Sequence, residues 1–123
     1  MNPGLIKTYG ADGAIPARAI VKAGSAAGKM AAASAATDAI FGVNERLDAA
    51  DGELVDIVHT GIVEVVCGGN LAYGDFFTSD ANGRAIKAAP GAGVNMSVAG
   101  RILEAGVPGD IVRGLLIITQ IQG

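Results

Sequence analysis

The sequence predicts an all-β protein, a small barrel or sandwich with an extended N-terminal arm, on three observations. The first is alternation: Val55, Ile57 and His59 are interleaved with Leu54, Asp56, Val58 and Thr60, and after Gly61 the residues Val63, Val65 and Cys67 with Ile62, Glu64 and Val66. A period of two rich in β-branched residues marks strands with one or both faces buried. The second is a repeated turn: Gly, an acid and two apolar residues recur at Asp51–Val55, Tyr73–Phe77 and Pro108–Val112. There Gly takes the left-handed position, and the carboxylate accepts nearby turn N–H groups before a strand begins. The unequal spacing excludes a solenoid repeat. The third is the rhythm of short strands and turns itself, which belongs to barrels and sandwiches.

Taken in order, residues 1–16 are predicted to be irregular, since Pro3, Gly4, Gly10, Gly13 and Pro16 punctuate them. They form either a frayed terminus or an arm that orders on a neighbour, and residues 17–123 form a single β domain. Ala17–Ala23 is a first strand, with Ala19, Val21 and Ala23 on one face and Arg18, Ile20 and Lys22 on the other. Lys29–Ala36 is a strand or a short helix, because it is rich in Ala yet lacks a 3.6 period. Ala39–Val43 is a strand in which Gly42 marks a bend or a close approach. Asn44–Ala50 is a polar connection. Phe76–Thr78 starts a strand that Asp80-Ala81-Asn82-Gly83 turns, and Asn-Gly predicts a type I′ hairpin. Ala89–Gly93 is a loop. Val94–Glu104 is a long strand with a bulge or kink at Gly100. Ile111–Ile121 is the final strand, interrupted at Gly114.

Half of the 123 residues are hydrophobic, but 4% are aromatic and there is no Trp. So thin a core suggests that some apolar surface is buried against another chain. The net charge is −3, and the nine Lys and Arg are scattered singly. No basic stripe with interleaved aromatics is present, so no nucleic-acid partner is expected. Cys67 is the only cysteine. It is expected to be a small core residue. No secretory signal and no apolar run of membrane-spanning length is visible, so a soluble protein with no membrane partner is expected.

Catalytic motifs fail one by one. Gly24-Ser25-Ala26-Ala27-Gly28-Lys29-Met30 has three residues between its glycines, and Met follows the Lys. A phosphate-binding loop needs four, and then Ser or Thr. His59 is the only histidine. Asp56, its nearest acid, would project from the other strand face. Ser25, Ser34, Ser79 and Ser97 lack a Gly-x-Ser-x-Gly context. Asp75, Asp80 and Asp110 lack the spacing of a cation loop. No enzymatic activity, cofactor or metal is expected.

Read in order, AIFGV, then GELVDIVHTGIVEVVCGGNLAYGDFFTSDANGRAIKA, then VAGRILEAGVPGDIVRGLLI resembles the small capsid cement, or decoration, proteins of tailed bacteriophages. The carrying positions are Gly42-Val43, Gly61, Val63, Gly69, Gly74-Asp75, Ser79-Asp80, Gly83-Arg84-Ala85, Gly100, Leu103-Glu104-Ala105, Gly109-Asp110 and Leu115-Leu116. The resemblance implies a virion structural protein, made in the bacterial cytoplasm, that stabilises the capsid from outside. Its partners would be the major capsid protein, whose subunits it bridges, and copies of itself, as a trimer in preference to a dimer. The alternatives are another virion module, of tail or fibre, and a small ligand-binding barrel. The contact residues expected are Leu5, Ile6 and Tyr9 on the arm, Asn70 and Tyr73 in the Gly68–Asp75 loop, and Pro90.

Overall fold

The computed structural model describes residues 5–44, 47–90, 92 and 95–122. Residues 1–4 of the expected arm, Glu45 and Arg46 of the polar connection, Gly91 and Gly93 of the loop, and Val94 at the expected strand start lie outside them.

Among the described residues ten strands follow one another: β1 (Ile6–Ala11), β2 (Ala19–Ala23), β3 (Lys29–Ala32), β4 (Ile40–Asn44), β5 (Leu54–Val58), β6 (Gly61–Val66), β7 (Phe76–Ser79), β8 (Ala85–Lys87), β9 (Asn95–Ile102) and β10 (Ile111–Gln122). The first five close a barrel in the order β1-β3-β2-β4-β5, and the others form an open sheet in the order β6-β10-β9-β7-β8. The expected all-β class is thus a barrel joined to an open sheet.

Two expectations change at once. Residues 6–11, read as irregular, are the strand that closes the barrel, pairing antiparallel with β5 and parallel with β3. The glycines and prolines around them bound the strand instead of abolishing it. The ambiguous Lys29–Ala36 segment is a strand over its first four residues only.

Two apolar clusters fill the molecule. Ala11, Ile15, Ala19, Val21, Met30, Ala49, Val55 and Ile57 fill the barrel, with Tyr9 packed against them. Ile20, Ile40, Val43 and Val58, from the same barrel strands, join Val63, Val65, Phe77, Ala99, Ile102 and Val112 of the sheet in the other cluster. The alternation of β2 explains this: Val21 points into the barrel and Ile20 out of it, onto the sheet. One barrel wall is therefore buried on both faces, and Ala, Val and Ile suffice to fill it.

The repeated turn is built as expected, and on both sheets. Gly52, Gly74 and Gly109 have φ of 83°, 90° and 92°. In each turn the acid that follows accepts the N–H three residues back: Ala50 N to Glu53 Oε1 at 2.6 Å, Ala72 N to Asp75 Oδ2 at 3.0 Å and Val107 N to Asp110 Oδ2 at 3.1 Å. A fourth turn, Pro16–Ala19, has the same backbone bond, with Arg18 at φ 64° where the others have Gly. The turns hook onto distant strand ends. Gly74 N donates to Ile102 O and Ile102 N to Asp75 O; Gly109 N donates to Cys67 O and Cys67 N to Asp110 O. Leu71 and Gly106, each just before its turn, pair with one another. In the barrel Gly52 N donates to Ala11 O, Ala11 N to Glu53 O, and Ile15 pairs with Ala49. Each sheet thus interlocks two strand–loop–turn–strand units.

Other turn details differ from expectation. At Asp80–Arg84 only Gly83 has positive φ, so the hairpin is not type I′. The Asp80 carboxylate instead takes the N–H groups of Asn82 and Arg84, at 2.8 and 3.0 Å. The bulge expected at Gly100 lies opposite it, in β10, where one extra residue intervenes between Leu116 and Thr119. Gly114 does not interrupt β10. At Gly42 a Cβ would collide with the carbonyl oxygen of Val58. That glycine is the close approach its position suggested.

Candidate functional site

Polar chemistry gathers at one barrel seam. β4 and β5 share a single register pair, Val43 with Val58. Beyond it the His59 side chain takes over: Nδ1 lies 2.7 Å from the Phe41 carbonyl oxygen and Nε2 lies 2.7 Å from Tyr9 Oη. A carbonyl only accepts, so Nδ1 carries a proton, and Nε2 shares the other hydrogen bond with the tyrosine hydroxyl. The rings meet edge to face, with centroids 5.4 Å apart and planes at 77°. This chain ties β1 to β4 across the end of β5.

The same groups floor an open cavity of about 520 Å³, walled by Phe41, Lys29 and the Gly24–Gly28 loop. The segment that superficially suggested a phosphate loop is a hairpin connection, with Gly24 N bonded to Lys29 O at 2.9 Å. Its Ser25 N–H donates to Asp12 Oδ2 at 2.7 Å, which holds the Asp12 carboxyl below its ordinary range. Both His59 nitrogens are engaged, so neither is free to act as a general base on a ligand.

A second cavity, of about 600 Å³, lies on the outer side of β1 and β5. Its floor is set by register: Ile6 opposite Val58, Thr8 opposite Asp56, Gly10 opposite Leu54. Leu47, Asp48 and Glu53 also line it. Leu47 and Leu54 are 77% and 78% exposed.

The expected contact residues fall in different places. Leu5 and Ile6 are exposed, with Leu5 N donating to Thr60 Oγ1 at 2.8 Å. Ile6 faces the outer groove, whereas Tyr9 is turned toward the barrel core and held by His59. Asn70 and Tyr73 are exposed in the loop before β7, and Pro90, after β8, is half-buried. The set is therefore divided between barrel and open sheet. Sequence reasoning missed Leu47, Leu54, Asp48, Glu53 and Asp56. The signal present was that Leu54 and Val58, on the strand face opposite Val55 and Ile57, are apolar on either side of Asp56.

Among the described residues no group of three or more His, Cys, Asp or Glu is placed to hold a metal ion. Cys67 is buried, and that burial, with Asp110 nearby, pushes its thiol pKa up, away from thiolate reactivity. Arg113 is engaged by Glu104 at 3.1 Å, and Arg101 lies 4.2 Å above the Phe76 ring.

No family model matches the chain, and no curated protein matches it. The fold is similar to that of the N base of the head fibre gp8.5 of bacteriophage phi29, with a TM-score of 0.70, 18% identity, and coverage of 97% of this chain and 98% of that one. The resemblance to capsid cement proteins is corrected by these findings. Its glycine-and-acid positions are turn chemistry, and the architecture they build here is similar to that of the phi29 head-fibre base. The partners that rested on that resemblance, a bridged major capsid protein and a trimer or dimer of the chain itself, fall with it.

Proposed function

We propose that this chain is a non-catalytic structural β-module of a phage virion, a base that seats an appendage on the head surface. The observation that supports this is the likeness to the phi29 head-fibre base, which extends over nearly the whole of both chains. The site chemistry agrees: the one histidine is consumed in closing the barrel, the one thiol is buried, and the exposed apolar side chains suit contact better than turnover. Mass spectrometry of virions purified from the encoding phage should find the chain, and electron microscopy with an epitope-tagged copy should place the label on the head surface. Its absence from virions, or a label confined to the tail, would overturn the reading.

A further inference from the structure

We propose that the outer groove between β1, β5 and residues 47–49 binds a polypeptide segment carrying two apolar side chains flanked by lysine or arginine. This goes beyond the virion role and does not depend on it.

The groove is lined by apolar and acidic side chains. Ile6, Leu47 and Leu54 are its exposed apolar residues, and Val58, buried, lies beneath them. Because Gly10 stands opposite Leu54, no cross-strand side chain covers that leucine. From Leu54 to Val58 the floor runs about 14 Å at the rise of an extended strand, room for about four residues of a bound segment.

The acidic lining fixes the charge of the occupant. Asp48, Glu53 and Asp56 line the groove, and no Lys, Arg or His does so among the described residues. Each carboxylate is held by a neutral donor: Ala17 N to Asp48 Oδ1 at 2.7 Å, Ala50 N to Glu53 Oε1 at 2.6 Å, and Thr8 Oγ1 to Asp56 Oδ1 at 2.6 Å. None has an ion-pair partner among the described residues, whose salt bridges use Glu64, Asp38 and Glu104. Three oriented carboxylates around exposed leucines, unpaired by any cation among the described residues, complement a cationic apolar segment and repel nucleic acid and anionic lipid. Because the carboxylates are already fixed, little ordering is left to be done on binding.

Fluorescence anisotropy of the full chain with labelled Lys-Ile-Lys-Leu-Lys, against Glu-Ile-Glu-Leu-Glu, tests this. The basic peptide should bind, and the acidic one should not. Leu54→Ser, at a position too exposed to endanger folding, should weaken binding about tenfold, the loss of one buried leucine contact. Asp56→Asn keeps an acceptor for Thr8 and should weaken binding and flatten its salt dependence. Equal affinity for both peptides, no binding of the basic one at millimolar concentration, or indifference to Leu54→Ser would overturn the proposal. So would self-association in sedimentation that Leu54→Ser abolishes, since the groove would then belong to a second copy.

Discussion

Arg18 sits at φ 64° in a turn whose three counterparts have Gly, and it is the one non-glycine residue with positive φ among those described. A side chain in that conformation costs about 1–2 kcal/mol. What Arg18 returns is an exposed pair with Glu64 at 3.4 Å, a kind of contact worth about 0–1 kcal/mol. Arg18→Gly should therefore stabilise the fold by about 1 kcal/mol, read as a higher urea midpoint with an unchanged slope. The carboxylates set the acid limit. Asp38 is pushed up by partial burial, but the N–H groups of Ser34 and Ala35, the Ser34 hydroxyl and the Lys22 ammonium outweigh this and leave its pKa lowered. Asp12 is lowered by Ser25, and Glu104 by hydrogen bonds from Arg113. Groups with depressed folded-state pKa stabilise above their ordinary values, 3.8 for Asp and 4.5 for Glu, and that contribution fades as pH falls through the lowered ones. Stability from these groups should be flat from neutrality to about pH 5 and decline below it; urea midpoints across that range check the sign.

At the scale of elements, the barrel closes where β4 and β5 meet, and Gly42 makes that meeting possible. Gly42→Ala would drive a methyl into the Val58 carbonyl, with the Ile57 side chain only 2.8 Å from it. Backbone must then move, and a loss of about 3 kcal/mol is expected, at the upper end of overpacking costs. Circular dichroism should show the strand signal melting earlier, whereas Gly28→Ala meets no atom within 4 Å and pays only for its φ of 83°. Strands such as β5, β6 and β9 were legible because one-dimensional alternation records which face is buried. The Gly-acid turns were legible because backbone sign and carboxylate reach are local properties. β1 was not, because the glycines and prolines around it mask the strand preference of Ile6, Thr8 and Tyr9, and its pairing with residues 54–58 is fixed by closure of the barrel. The same limit hid the site. Tyr9 and His59 are 50 residues apart in sequence, and the outer groove exists only once β1 lies beside β5.

For the molecule as a whole, Ile20 joins the parts. It is fully buried and packs in the cluster that barrel and sheet share. Ile20→Ala should cost about 2–5 kcal/mol and lower both parts together. The chain has two tyrosines and no Trp, with Tyr9 in the barrel and Tyr73 at the open sheet. With Tyr73→Phe as background, Tyr9 fluorescence reports the barrel alone. Its melting curve should coincide with the far-ultraviolet curve, with and without Ile20→Ala; separate midpoints would show independent halves. The place of β10 in the open sheet carries one more consequence. Its first six residues are bonded to β6 on one side, and much of its length to β9 on the other. A pull along that strand loads these bonds at once, in shear, and they must fail together. β8, three residues long at the sheet's margin, would instead peel away bond by bond. Tension is therefore borne best along the direction in which β10 runs.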